Sequence, residues 1–400
     1  MKNVLMLIIA QVAIKILGFI YRIIITNAPG FGNIGNGYYN AGYQIYSLLL
    51  TISSVGIPAV ISKLVAERIA LGDDKGAYRI FTTALKIFTG LGIVLSLALF
   101  FGANAIASGV LNVPDVKYTL MALSPAIMFV AAASVMRGYF SGLGSMKATS
   151  VSQTLEQLLN CALTITFVYA LIGKDPAIMA AGGNVSTTLA IIIAFMYLYM
   201  FYKRRKKGIM ADIENQSAGV GADDPIRPDE TTWKIIKTII VIAVPLTLAS
   251  LISVINNLID TVTVSNCVQH AYQGIIMGKQ ALEAEAMRLS GILSKVETIM
   301  RLPLAVNAAF LTALVPAISA SIAKKDMALA KKRLSFSFFA SVLIVMPCAV
   351  GLAVLSGPIL KMIYPAAPDG AGIMALTTIT MLFVALTYVL DGRTIWTSAR

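Results

Sequence analysis

The chain has 400 residues, 58% hydrophobic and only 13% charged, with a mean hydropathy of +0.80 and a formal net charge of +13. That composition describes a polytopic membrane protein and sets the soluble globular classes aside. The positive excess lies mostly between apolar runs, where it sets topology, and no soluble basic domain is left to hold a nucleic acid.

The first apolar segment, Val4 to Ile25, is long enough to span a bilayer, which takes about 20 residues, and too long for a removable signal peptide. Within it Gln11, Lys15, Gly18 and Arg22 are spaced i, i+4, i+7 and i+11, one stripe along one helix face. A Lys or Arg in mid-membrane costs roughly 2.5–3.5 kcal/mol on insertion scales, so such residues usually face a bundle interior or a wet cavity. Two readings stand. Either Arg22 snorkels to the headgroups while Lys15 pairs with an acid elsewhere, or the stripe lines a path for an anion, with Gly18 leaving room beside it.

Apolar runs read with a window of about 19 residues give about ten spans. They fall near 4–26, 38–67, 81–107, 118–140, 150–173, 177–202, 235–260, 288–321, 336–357 and 371–391. The second and eighth are long for simple spans and invite a tilt or a break. The second opens on Tyr38, Tyr39, Asn40, Tyr43, Gln44 and Tyr46, a set suited to sugar and equally to an interfacial aromatic belt. Basic connections (63–79, the turn after Arg137 with Lys147, Lys203 to Lys207, and Lys324 to Arg333) alternate with connections almost free of cations. The positive-inside rule then places the N-terminus and the basic loops in the cytoplasm.

The polar connection at 203–233 begins with five cations, turns acidic, and reads as a flexible cytoplasmic linker. It divides the chain into an N-terminal lobe of six helices, 1–202, and a C-terminal lobe of four, 234–400. The two lobes share a pattern. Gly56-Ile-Pro58-Ala-Val-Ile-Ser62 closes the second span before a basic loop, and Leu314-Val-Pro316-Ala-Ile-Ser319 closes the eighth before another. Order, topology and spacing therefore point to two parallel repeats about an axis along the membrane normal. The same offset puts the counterpart of Arg137-Gly-Tyr-Phe-Ser-Gly-Leu-Gly144 beyond the last span, so the second lobe is expected to be incomplete.

Polar residues inside the later spans are the remaining candidates for chemistry. Gln153, Glu156, Gln157 and Asn160 form a polar face on span five, and Ser250, Ser253, Asn257 and Asp260 form another on span seven. Glu156 is either the counter-ion of a basic residue or a proton site, and the counter-ion is preferred. On span eight Glu297 and Arg301, at i and i+4, neutralise each other, which leaves Lys295 as a cavity cation. The three cysteines lie singly and far apart, and no His/Cys/Asp cluster or phosphate-cradling loop is present, so no metal, cofactor or enzymatic site is expected.

Taken together, Lys15-Ile-Leu-Gly-Phe-Ile-Tyr-Arg22, Gly56-Ile-Pro-Ala-Val-Ile-Ser-Lys63, Arg137 to Gly144, Gln153-Thr-Leu-Glu-Gln157 and Ala313 to Ser319 resemble oligosaccharide-lipid flippases of the multidrug/oligosaccharidyl-lipid/polysaccharide superfamily. The resemblance is to the stage V sporulation protein B branch, related to lipid II flippases. It implies an all-α, two-lobe bundle whose spans one, two, seven and eight line a central cavity opening alternately to either side. Under it Lys15, Arg22 and Lys295, with Gln11, Gly18 and Asn40, become substrate-binding positions, and Glu156 and Asp260 counter-ion or coupling positions. The implied cargo is an undecaprenyl-pyrophosphate-linked oligosaccharide, lipid II foremost, moved to the outer leaflet among membrane lipids, with cell-wall synthesis proteins as candidate partners. The rivals are a cation-coupled multidrug exporter, which needs a cycling acid such as Glu156 or Asp260, and a non-transporting scaffold of envelope or spore assembly, which needs no inward charge.

Overall fold

The computed structural model describes residues 16–219, 231–323 and 326–397. Its regular elements are helices: α1 Ile16–Thr26, α2 Gly32–Leu50, a π-helical turn Thr51–Val55, α3 Ile57–Ala70, α4 Asp74–Gly109, α5 Val116–Gly142 and α6 Met146–Ala170. After them come α7 Pro176–Gly219, α8 Thr232–Tyr272, α9 Lys279–Ala323, α10 Met327–Val354, α11 Ser356–Ile363 and α12 Ala371–Thr397. Six described stretches are long and apolar enough to cross a membrane: α2 to α3 taken together, α4, α5, α7, α8 and α10. Neither α6 nor α9 reaches that apolar standard; α6 carries the polar face at Gln153–Asn160, and α9 carries Lys295, Glu297 and Arg301. The protein is an all-α polytopic membrane protein.

The break anticipated in the second span has a local cause. Ser47, Thr51, Ser53 and Ser54 each turn their hydroxyl back onto a carbonyl three or four residues earlier, at 2.6 to 3.2 Å. Such back-bonding competes with the helix ladder. Pro58 has no N–H to offer the carbonyl of Ser54. The chain absorbs both effects in the π-helical turn and restarts as α3 with Pro58 in its first turn. The expected linker is shorter than the sequence suggested. Residues 203–219 continue α7, because Lys, Arg, Ile, Met, Ala and Glu sustain a helix there until the Gly-rich stretch. Residues 220–230 lie outside the described residues.

The chain separates into two compact units, Met1–Ser290 and Gly291–Arg400. In the first, two apolar clusters mark the two ends of an up-and-down bundle. One gathers Ile25, Phe31, Tyr39, Tyr46, Leu99, Leu111, Leu120, Val168 and Met179. The other gathers Ile61, Val65, Phe81, Val135, Tyr139, Phe140, Leu198 and Ile235, with Phe81 stacked on Tyr139 at 4.2 Å. Here α2 comes so near the first turns of α9 that a Cβ at Gly37 would lie 2.0 Å from the Met287 carbonyl oxygen. In the second unit α10 packs along α12, and Ser341 Oγ donates to the Ala385 carbonyl at 3.4 Å. The turn into α12 needs glycine at 370, where φ is +107° and a Cβ would meet Ile292 Cγ2 at 2.4 Å.

Candidate functional site

Arg22, the one cation of the span-one stripe among the described residues, sits near the end of α1. It is half-buried, with its guanidinium carbon 5.2 Å from the centroid of the Tyr39 ring. Tyr39, on α2, is 1% exposed, and its hydroxyl stands 3.5 Å from that of Tyr21. Its ring seats beside α7 because position 183 is glycine; a Cβ there would lie 3.1 Å from the ring. A guanidinium over an aromatic face is attracted by the ring quadrupole yet keeps its full charge. That distinguishes this contact from an ion pair.

A polar seam runs beneath it. Thr187 on α7 donates to Asn160 Oδ1 at 3.3 Å, and Thr164 donates to the same oxygen at 3.0 Å. Gly18 faces this seam, since a Cβ on it would lie 3.9 Å from the Gln157 amide nitrogen. Asn40 is half-buried one turn before Gln44, whose amide donates to Asn40 Oδ1 at 3.5 Å. Arg22, Gly18, Gln157, Asn160 and the tyrosines of α2 thus gather in the first unit. Lys15 and Gln11 lie outside the described residues.

Glu156 is engaged elsewhere on the same helix. Its Oε2 accepts from an Arg137 guanidinium nitrogen at 2.5 Å, while Arg137 Nε donates to Ser152 Oγ at 3.0 Å. Arg137 is 9% exposed, so α5 holds a buried cation whose charge α6 meets. Asp260 is exposed on α8 and makes no ion pair among the described residues. In the second unit Lys295 is 1% exposed. Its ammonium donates to the Ala367 carbonyl and lies 5.4 Å from the centroid of the Tyr364 ring. Glu297 and Arg301 close their i, i+4 pair at 3.3 Å.

Sequence reasoning missed Thr187 and the part Tyr39 plays. The signals were there, as a Thr-Thr pair within an apolar run and as a Tyr-Tyr-Asn opening. Which of these hydroxyls would meet a cation is a tertiary fact. Outside the spans, the first turns of α9 hold two carboxyls in opposite states. Arg288 hydrogen-bonds Glu285 through two nitrogens at 2.8 Å and draws its carboxyl below the ordinary glutamate range. Burial pushes the Glu283 carboxyl up, against the opposing pull of Lys279 at 3.9 Å.

The profile of the family described as polysaccharide biosynthesis protein matches residues 1–322. Stage V sporulation protein B of Bacillus subtilis (strain 168) is 26% identical over 339 residues, covering 84% of this chain and 61% of that protein. Lipid II flippase MurJ of the same strain is 25% identical over 363 residues, covering 88% and 63% respectively. The chain therefore spans less than two thirds of the length of these two relatives. Among solved structures, an inward-facing multidrug resistance MATE family transporter of the MOP superfamily superposes with a TM-score of 0.68 at 13% identity, covering 96% of this chain and 85% of that one. Lipid II flippase MurJ in an inward closed conformation gives 0.67 at 14%, covering 97% and 75%. Both share this fold.

Proposed function

Because the chain belongs to the polysaccharide biosynthesis protein family, we propose that it moves an undecaprenyl-pyrophosphate-linked oligosaccharide across a bacterial plasma membrane, with lipid II the first candidate. The observation that carries this reading is Arg22. It is a half-buried guanidinium inside a membrane bundle, held over the face of the Tyr39 ring. A guanidinium offers paired N–H donors that match phosphate oxygens. In this reading Arg22, with Lys15 one face along, holds the pyrophosphate. Gly18 leaves room beside it, and Gln11, Asn40 and Gln157 face the sugar. The lipid tail stays in the bilayer, and alternating access carries the headgroup outward. Lys295 belongs to the same proposal as a second-unit cation, reached only when its contact with Ala367 opens. The names of two relatives, a sporulation protein and a lipid II flippase, support this substrate class over an enzymatic role.

An inside-negative potential would favour outward movement of an anionic headgroup by about 2.3 kcal/mol per charge per 100 mV. One observation favours a second reading. Asp260, exposed on α8, is the acid that a cation-coupled exporter of cationic drugs would cycle.

The test uses the full-length gene in cells depleted of their own lipid II flippase. Growth and the inner-leaflet pool of lipid II are compared for wild type and Lys15→Ala/Arg22→Ala at equal membrane abundance. Rescue by wild type and failure of the double variant is the expected result. Rescue by both would overturn the role of the cations. Rescue by neither would point to another lipid-linked glycan or to a drug.

A further inference from the structure

Beyond the bilayer, α7 carries a block of charge that transport does not use. Lys203, Arg204, Arg205, Lys206 and Lys207 occupy consecutive helical positions and all five are exposed. Successive helix residues turn by about 100°, so five in a row encircle the rod with cations. None of the five has a carboxylate within ion-pair distance among the described residues. Their named contacts are aromatic, Lys203 over Tyr199 at 5.3 Å and Arg205 over Phe201 at 5.1 Å.

The position of this collar along the helix is informative. At 1.5 Å per residue it lies about 40 to 46 Å from Pro176, and a bilayer with its headgroups is about 40–45 Å thick. Below it α7 exposes Met196, Tyr199 and Met200, an apolar surface suited to acyl chains. The stem is fixed to the bundle. The Tyr202 hydroxyl meets that of Tyr78 on α4 at 2.8 Å, and Ile209 packs against the cluster of Phe81, Tyr139 and Ile235. At the same end stand the exposed Lys147 at the start of α6, and Lys237 with Trp233, 72% exposed, at the start of α8. Lys117, at the start of α5, and Lys174, in the turn between α6 and α7, lie at the other end of the bundle.

We infer that this collar binds the anionic headgroups of phospholipids in the leaflet at its end of the bundle. The occupant is a lipid because cations at headgroup height stand directly above an exposed apolar surface, the two halves of one amphiphile. A soluble anion would have no use for the lower half. A polybasic segment immediately beyond a membrane helix is attracted to an anionic leaflet, and the attraction falls off within a Debye length.

The experiment uses the full-length protein, extracted in detergent with equal parts of phosphatidylglycerol and phosphatidylcholine. Native mass spectrometry counts the lipids retained. Wild type is expected to retain phosphatidylglycerol preferentially. Replacing all five cations by Gln should cut that preference at least about tenfold, since each cation near an anionic surface contributes several-fold. Lys117→Gln/Lys174→Gln should leave it unchanged. For wild type, raising salt to about 1 M, where the Debye length is about 3 Å, should shrink the preference as well. That measurement decides the matter even if the fivefold variant fails to fold. Absence of preference in wild type, insensitivity to salt, or equal loss in the Lys117/Lys174 variant would overturn the inference. None of these results depends on the cargo.

Discussion

Glu156→Ala tests whether the carboxylate on α6 is the partner of Arg137 or a residue kept for coupling. Arg137 donates to Glu156 at 2.5 Å, with side-chain exposures of 10% and 29%. Removing one member of a buried pair costs about 3–5 kcal/mol, because the remaining charge stays desolvated. Glu156 is partly exposed, so water can reach the gap. Ser152 still accepts from Arg137 Nε. Both place the cost at the low end, about 3 kcal/mol, or roughly a hundredfold in the unfolding equilibrium. Steric-trap unfolding in bicelles measures that difference directly. The second arm is Arg137→Met/Glu156→Leu, which removes both charges and keeps the volume. It should return to within about 1 kcal/mol of wild type, since apolar replacement of a buried pair is often neutral. If Glu156→Ala unfolds as wild type does, or if the double variant loses as much as the single ones together, the pair is not what anchors this residue.

Gly37→Ala should destabilise the first unit by about 3 kcal/mol, because the new Cβ falls 2.0 Å from a backbone oxygen and backbone cannot rotate away. Gly90→Ala, with nothing within 4 Å, is its control and should gain about 0.5–1 kcal/mol from helix propensity; equal thermal shifts for the two would refute the close approach of α2 to α9. For Glu283 the folded-state pKa is raised, by burial first, so its contribution is intact below the ordinary glutamate pKa of about 4.3 and is lost as pH rises through the folded value. Glu283→Gln should therefore raise thermal stability at neutral pH and match wild type near pH 4, and a stability difference that does not change between those pH values would contradict the burial argument.

Much of the fold was legible because the bilayer reduces folding to a hydropathy problem. Apolar length located most of the helices, and the excess length of the second span foretold its break, whose cause lies in Pro58 and the hydroxyl residues before it. Two features escaped the same reading. The stretch 203–219 looked like a linker because polarity alone was read. A helix leaving the membrane needs no apolar face, and Lys, Arg, Met and Ala have the propensity to continue it. The short helix α11 falls between the expected spans 336–357 and 371–391, because eight residues are too few for a span. At the site, spacing brought Gly18 and Arg22 to one face and Gln157 with Asn160 to another. That Tyr39 lies under Arg22, and that Thr187 reaches Asn160, depends on how α1, α2, α6 and α7 pack, and no local pattern encodes it.

The intramembrane cations all cost insertion energy, but the structure commits them differently. The charge of Arg137 is met by a carboxylate, and so is that of Arg301. The first ties α5 to α6, the second stays within α9, and both leave little field for a ligand. Lys295 is turned onto a backbone carbonyl and closed to water, so an anion could reach it only after the chain around Ala367 moved. Arg22 differs from all three. Its guanidinium lies over the Tyr39 ring, a contact that holds the group in place and keeps its charge. In the proposed function, a guanidinium held over an aromatic face on α1 and α2, near amide and hydroxyl groups, is what an anionic headgroup would meet.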